Sequence, residues 1–313
     1  MTSKMVLTEQ KGRVLTIRLN NPPQNFFTNQ MVEDLISVVS KLEKDSSVGA
    51  VIITGALDDV FIAHFDLREI YAPGTPKISF NQSNSILKTI GALNSVPGVG
   101  KILEKTPAGD VVGYLEFHEL FQRMHCLDKV FIAAINGFAM GGGCELALGC
   151  DIRLMADADY QIGLPECLMG IMPGAGGTQR LPRIIGQSRA LELMLEGRGL
   201  SPKEALDIGL IHHVIKPELL LEEAQKTAER LARRSPITVS QIKKAVYQGG
   251  SGTIENGLAM ERAGFIHLAS TKPAKRAIKA FLKDTSDLEN LTPSQYFSIV
   301  EKWQEGKVVD MNK

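Results

Sequence analysis

Between Lys129 and Glu166 the chain reads KVFIAAINGFAMGGGCELALGCDIRLMADADYQIGLPE, and no other stretch limits its possible folds as much. An apolar run from Val130 to Ile135 reads as a buried strand. Asn136-Gly137 turns the chain, and Gly141-Gly142-Gly143 leads into Cys144-Glu145-Leu146-Ala147-Leu148-Gly149-Cys150, which has one charged residue and no polar face. This pattern predicts a short central helix whose N-terminus is the glycine run. Asp151 ends it, Ile152 to Met155 return as a strand, and Gly163-Leu164-Pro165-Glu166 closes the unit. Three successive glycines lose backbone entropy and pack nothing, so something approaches that backbone closely. A Glu inside an otherwise apolar helix is paired, protonated or facing a cleft.

The glycines free backbone N–H groups at a helix N-terminus, where orphan donors and the helix dipole favour negative charge. An oxyanion suits such a site as well as a phosphate does. Glu145 lies in the first turn beyond those donors, and Glu166 follows the second strand. An oxyanion site flanked by two carboxylates is a place for proton transfer next to a carbonyl. The alternative reading makes the glycines a tight helix–strand crossing and puts both glutamates at the surface; on the residues alone both readings stand.

Taken in order, Asn136-Gly137 through GGGCELALGCD, then GLPE, then Pro173-Gly174-Ala175-Gly176-Gly177-Thr178-Gln179-Arg180-Leu181, resemble the enoyl-CoA hydratase/isomerase (crotonase) family. The similarity runs from about Val14 to Phe281 with one long interruption. The resemblance implies an α/β fold, a crotonase-type spiral of β-β-α units followed by a C-terminal α-helical oligomerisation domain. The expected organisation is a spiral core over 1–200 with a long insertion at about 71–126. A helical oligomerisation domain over 201–285 and a C-terminal helical extension over 286–313 follow.

Phe61-Ile62-Ala63-His64-Phe65-Asp66-Leu67-Arg68-Glu69-Ile70 is similar to the family's second oxyanion segment. By that match Phe65 supplies one oxyanion N–H and Gly142 the other. The substrate is then an acyl-CoA thioester lying against Ala63, His64, Asp66, Leu67 and Arg68, with Gly141 and Gly174 also in contact. Glu145 and Glu166 are the implied catalytic pair, and members with both glutamates are typically hydratases of 2-enoyl-CoA. No organic cofactor or metal is implied, since coenzyme A belongs to the substrate. The expected assembly is a homo-trimer or hexamer.

The chain departs from the family pattern at three points. His64 replaces a usual glycine, bulky Phe65 replaces a usual small residue, and Glu145 to Glu166 is one residue longer, which a bulge in the Asp151–Gly163 segment would absorb. A left-handed backbone at His64 would carry a conformational cost. The His64-Phe65 pair favours a rival within the family, either double-bond isomerisation or hydrolysis of a C–C bond in a β-diketone with His64 as acid/base. A rival of another class is a non-catalytic acyl-CoA-binding member; retention of both glutamates and the glycine triplet argues against it.

Composition narrows the rest. The chain has 313 residues with 35 basic and 35 acidic side chains, so neither a nucleic-acid surface nor an acidic disordered tail is indicated. No apolar run is long enough to span a bilayer, and MTSKMVLTEQKG lacks the features of a signal or transit peptide, so a cytoplasmic location is expected. Cys126, Cys144, Cys150 and Cys167 show no CxxC spacing and read as free packed thiols. His212-His213 has no carboxylate or thiol at ligand spacing, so a metal role is not expected.

Along the chain, Val14 to Leu19 and Val48 to Thr54 read as strands. Thr28 caps a helix between them with Met31, Leu35, Val39 and Leu42 on one face. Prolines 73, 76, 97 and 107 give the insertion a broken, loop-rich character, with short helices at Ser83 to Leu93 and Tyr114 to Met124. It is either a lid over the acyl chain or a decoration. Gly98-Val99-Gly100-Lys101 is rejected as a phosphate loop for want of the first glycine, the hydroxyl residue and a preceding strand. Pro182 is expected to interrupt a helix begun at Thr178, Ser188 to cap the next, and Ser201-Pro202 to start another. Leu210 to Ile215 reads as a strand, and helices follow over 217–234, 236–248, 253–267 and 273–283, the last made basic by Lys275, Arg276, Lys279 and Lys283.

Overall fold

A computed structural model of the chain describes residues 5–70, 77–96, 98–106, 108–287 and 289–312. Pro73, Pro76, Pro97 and Pro107, on which the loop-rich reading of the insertion leaned, lie outside these residues.

Among the described residues nine strands form two sheets. β1 (Val6–Lys11) and β2 (Val14–Leu19) make an antiparallel hairpin, and β3 (Ala50–Gly55), β5 (Val130–Ile135), β7 (Ile152–Ala156) and β9 (His213–Ile215) extend it in parallel. β4 (Asp59–Ile62), β6 (Gly137–Met140) and β8 (Ile162–Gly163) form the second, three-stranded parallel sheet. Each of the pairs β3–β4, β5–β6 and β7–β8 therefore leaves one strand in each sheet. That alternation is the expected β-β-α spiral.

Burial explains why the large sheet is central. β3 and β5 are buried along their whole length, as strands covered on both faces must be. Val51, Ile53, Phe131, Ala133 and Ile135 pack toward helices Asn29–Leu42, Gly109–Cys126 and Gly142–Leu148. Their neighbours Ala50, Ile52, Ile132 and Ala134 point the other way, onto Leu220, Ala224 and Ala228 of helix Leu220–Leu231. β9 and this covering helix both come from beyond residue 200, so the sheet is finished by the 201–285 segment.

Several local expectations hold and several change. Thr28 caps helix Asn29–Leu42 by accepting from Met31 N, and Ser201 forms a capping box with Glu204. β1 was not anticipated; the two-residue turn Gly12-Arg13, with Gly12 at φ 58°, joins Lys11 to Val14 and marks it. The described insertion is mostly helical, as Phe80–Asn94, Gly100–Leu103 and Gly109–Cys126, and Phe117, Leu120, Phe121 and Met124 of the last are core residues. Gly177–Ile185 runs through Pro182 without a break; the proline is the sixth of its nine residues and supplies no N–H to the helix ladder. Gly186, not Ser188, precedes the next helix, Gln187–Glu196. The link from β7 to β8 is a bend at 157–161, where Tyr160 N bonds Ala158 O, and β7 itself keeps a regular register without a bulge.

Helix Pro236–Tyr247 is fastened to the core by one buried cation. Lys243 Nζ donates to Met124 O, Lys129 O and Asp151 Oδ2, each at 2.7 Å. Three oxygens around an ammonium satisfy all its donors, which is what burial of a Lys requires. Ser235, the residue before this helix, accepts no capping bond. Helices Ile254–Ser270 and Lys272–Asp284 leave Ile254, Phe265, Ile266 and Leu282 exposed. Helix Pro293–Gln304 docks through Trp303, edge-on to Phe281 at 5.4 Å, and through Arg234, which donates to the carbonyls of Trp303 and Gln304.

Candidate active site

The site forms where the two sheets meet the N-terminus of helix Gly142–Leu148. Asn136 sets the crossing: its Oδ1 accepts from Gly55 N at 2.9 Å and its Nδ2 donates to Leu57 O at 2.8 Å, tying the end of β5 to the β3–β4 link. Asn25, wholly buried, donates to Phe61 O at 2.6 Å and accepts from Asn21 N, so it pins β4 to the turn after β2.

The glycine triplet is explained by what surrounds it. Gly141 has φ 52° and ψ −120°, and a side chain there would meet Glu166 Oε1 at 3.2 Å. A Cβ on Gly143 would stand 2.4 Å from Ile62 O, so helix and β4 touch backbone to backbone. Gly142 lies between them and faces Phe65, whose backbone N is 3.7 Å from where its Cβ would be.

Phe65 is placed by a parallel bridge to Phe27: Phe27 N donates to His64 O at 2.9 Å, and Asp66 N donates to Phe27 O at 2.8 Å. Such a bridge uses the groups on either side of residue 65 and turns its own N–H away, toward Gly142. Among the described residues neither the Phe65 nor the Gly142 N–H donates to any protein acceptor. Gly142 opens its helix, where the first amides have no partner within the helix. Two unspent donors thus lie side by side.

The two carboxylates lie at the same helix N-terminus and near each other, Glu166 Oε1 beside Gly141 and Glu145 in the first turn. Glu145, 3% exposed, accepts through Oε1 from Ala175 N at 2.8 Å and Gly177 N at 2.7 Å. Its pKa is pushed up to about 7, chiefly by burial and further by Glu166, while the Gly177 and Ala175 amides pull against the rise. Glu166 sits in a single 3-10 turn, Glu166–Met169, 8% exposed, and its Oε2 has no hydrogen-bond partner. Burial raises its pKa as well.

The remaining candidates divide. His64 is half-buried, its Nδ1 bonds Phe65 O at 2.7 Å, and its ring lies 4.6 Å from that of Phe26. Its backbone is not left-handed, so the conformational cost considered for the missing glycine does not arise. Phe65 is half-buried against Phe27 and Phe117. Asp66 is paired with Arg68 at 2.6 Å, which holds its carboxyl at about 2. Ala63 is half-buried, Leu67 is exposed, and the Arg68 guanidinium reaches into solvent. Gly174 immediately precedes the Ala175 amide that holds Glu145; its carbonyl is in hydrogen-bond contact with Tyr114 and His118, and all three line a cavity of about 1400 Å³ that neither glutamate lines.

The family model described as enoyl-CoA hydratase/isomerase matches residues 9–97 and 99–287. The chain belongs to the enoyl-CoA hydratase/isomerase family. A short-chain-enoyl-CoA hydratase of Clostridium acetobutylicum is 33% identical over 279 residues, covering 89% of this chain and 94% of its own length. A 2,3-dehydroadipyl-CoA hydratase of Escherichia coli is 33% identical over 289 residues, covering 92% and 99%. The crystal structure of an enoyl-CoA hydratase from Bacillus anthracis superposes with a TM-score of 0.72 at 31% identity, covering 89% of this chain and 96% of that one. The fold is the crotonase fold of this family.

Sequence reasoning missed Ala175 and Gly177 as the amides that hold Glu145. The signal was present: Gly174 to Gly177 precede a helix just as Gly141 to Gly143 do, and the same orphan-donor argument applies to both. Arg180 was also missed; it stacks over Phe121 at 4.6 Å and donates to Ala175 O at 2.8 Å.

Proposed function

We propose that this family member is an enoyl-CoA hydratase, adding water across the C2=C3 double bond of a 2-enoyl-CoA thioester. The observation that carries this reading is a pair of buried carboxylates, one anchored and one with a free oxygen, set beside two unspent backbone N–H groups. The thioester oxygen accepts from the Phe65 and Gly142 amides. One glutamate takes a proton from water as its oxygen bonds C3, and the electron pair of the double bond moves onto the thioester as an enolate. The other glutamate returns a proton to C2, and the oxyanion reverts to a carbonyl. Two neighbouring carboxyls that both resist ionisation titrate as a coupled pair, so a state with one ionised and one protonated is available near neutral pH.

Ala63, His64, Asp66, Leu67 and Arg68 lie beside the thioester end and serve as the coenzyme A contact, with Gly141 and Gly174 lining the acyl side. This chemistry asks for no cofactor beyond the coenzyme A of the substrate. The apolar side chains left exposed on the helices over 254–284 fit association into a homo-trimer or hexamer. The test is loss of the conjugated-thioester absorbance of crotonyl-CoA and longer enoyl-CoAs on adding pure protein. No absorbance loss at any chain length, with no α-proton exchange in D₂O, sinks the reading.

A further inference from the structure

Helix Gly109–Cys126 aims two side chains at a single oxygen. Tyr114 Oη donates to the Gly174 carbonyl at 2.8 Å, and His118 Nε2 lies 2.5 Å from the same atom. A carbonyl only accepts, so His118 carries its proton on Nε2. The rings meet edge to face at 4.8 Å, as residues four apart on a helix do. Gly174 C=O and Ala175 N–H are the two ends of one planar peptide group. The Ala175 end donates to Glu145 Oε1 at 2.8 Å. Holding the oxygen therefore fixes the direction of the amide that anchors the glutamate.

We propose that Tyr114 and His118 are positioning residues that orient Glu145 for proton transfer through the Gly174–Ala175 peptide. The proposal rests on the hydratase reading for its kinetic consequence only. Groups facing Glu145 are the Ala175 and Gly177 amides, Glu166 from its 3-10 turn, Arg180 from helix Gly177–Ile185, Tyr114 from the insertion, and Cys144 on its own helix. Tyr114 and His118 add no charge to this set; they act by keeping a donor on the ionised carboxylate. Releasing the peptide weakens that donor, so Glu145 titrates at higher pH.

The experiment compares Tyr114→Phe, His118→Leu, the double variant, and Tyr114→Phe combined with His118→Gln, whose amide can still donate. Glu145 is titrated by ¹³C NMR of protein labelled at the glutamate carboxyls, its resonance identified as the one lost in Glu145→Gln. The pH profile of crotonyl-CoA hydration is followed in parallel. Each single variant should stay within about tenfold of wild type in kcat, since one donor remains, a barrier change of about 1.4 kcal/mol or less. The double variant should lose more than about tenfold in kcat with KM nearly unchanged. Its Glu145 titration should move upward, and the glutamine combination should restore both. An unmoved Glu145 titration in the double variant overturns the proposal, whether or not kcat falls. If wild type hydrates no enoyl-CoA, the hydratase reading fails, while the Glu145 titration still decides whether the clamp acts.

Discussion

Glu145 and Glu166 reach the site on turns of opposite construction. Glu145 rides on a helix buried along its length, and one of its oxygens is already spent on two amides of the 173–177 turn. Glu166 rides on a single 3-10 turn that ends at Gly170 with φ 72°, and its neighbours Leu168, Met169, Ile171 and Met172 are exposed. One carboxylate is held by the fold from both sides. The other is held by its own backbone and keeps a buried oxygen without a partner, which the fold tolerates only at a cost. On the hydratase reading, the contrast is between an acid/base held by two amides and one whose second oxygen is left open. Uncompensated polar groups of this kind collect at functional sites.

The largest effect that can break this comparison is loss of either proton acceptor. Glu145→Gln and Glu166→Gln should each cut hydration by about 10³-fold or more, because Gln keeps the shape but takes no proton at neutral pH. On a 3-enoyl-CoA the variants should differ if isomerisation is the true reaction. A single carboxylate then shuttles the proton, and Glu145→Gln should spare much of the rate. Equal activity of both variants and wild type on both substrates would place the chemistry elsewhere.

The next effect separates the glycines. Gly142→Pro removes the proposed oxyanion donor at a helix position where proline is tolerated, so turnover should fall about 10²–10³-fold with native circular dichroism. Gly143→Ala should do the reverse. Its Cβ would stand 2.4 Å from Ile62 O, so stability should drop by about 1–3 kcal/mol as helix and β4 are pushed apart. Activity of Gly142→Pro within tenfold of wild type contradicts the donor assignment.

Buried regular structure was the readable part of this molecule. β3 and β5 are uninterrupted apolar runs, and the face of Met31, Leu35, Val39 and Leu42 is a clean helical stripe. The glycine triplet could be read because its glycines answer to a positive φ at Gly141, a donor left open at Gly142 and a backbone contact that allows no side chain at Gly143. What could not be read depends on contacts far apart in sequence. Glu145 is anchored by residues 30 and 32 positions later, and Lys243 finds its acceptors 92 to 119 positions earlier. The 174–177 glycines announce open donors, but no local pattern says which distant side chain takes them. β1 escaped for a different reason: five of its six residues are exposed, so it lacks the alternation that marks a strand.

A smaller effect concerns stability and follows from the raised titration of Glu145. Its folded value of about 7 lies above the ordinary 4.5, so the folded state binds the proton more tightly than the unfolded chain. The stability this contributes is fully present below about pH 4.5 and is lost as pH rises through about 7. Glu145→Gln has no such loss. Its stability relative to wild type should therefore improve by roughly 3 kcal/mol between acid and pH 8, read from denaturant midpoints. A constant difference across that range means that Glu145 ionises as easily folded as unfolded.

The smallest effect tests His64, the residue that set this chain apart in sequence. Its Nδ1 is engaged with Phe65 O at 2.7 Å and its ring lies against Phe26, so its place in the structure is accounted for without any role in proton transfer. Removing one such hydrogen bond generally costs about 1 kcal/mol of stability. His64→Ala should therefore lower stability by about that amount. Its kcat should stay within about tenfold of wild type, since Phe65 is still placed by the bridge to Phe27. The acidic limb of the pH profile should keep its position, because that limb belongs to the two glutamates. A loss of more than about 10²-fold, with a limb that moves or disappears, would give the histidine the proton-transfer role that the β-diketone hydrolase reading requires.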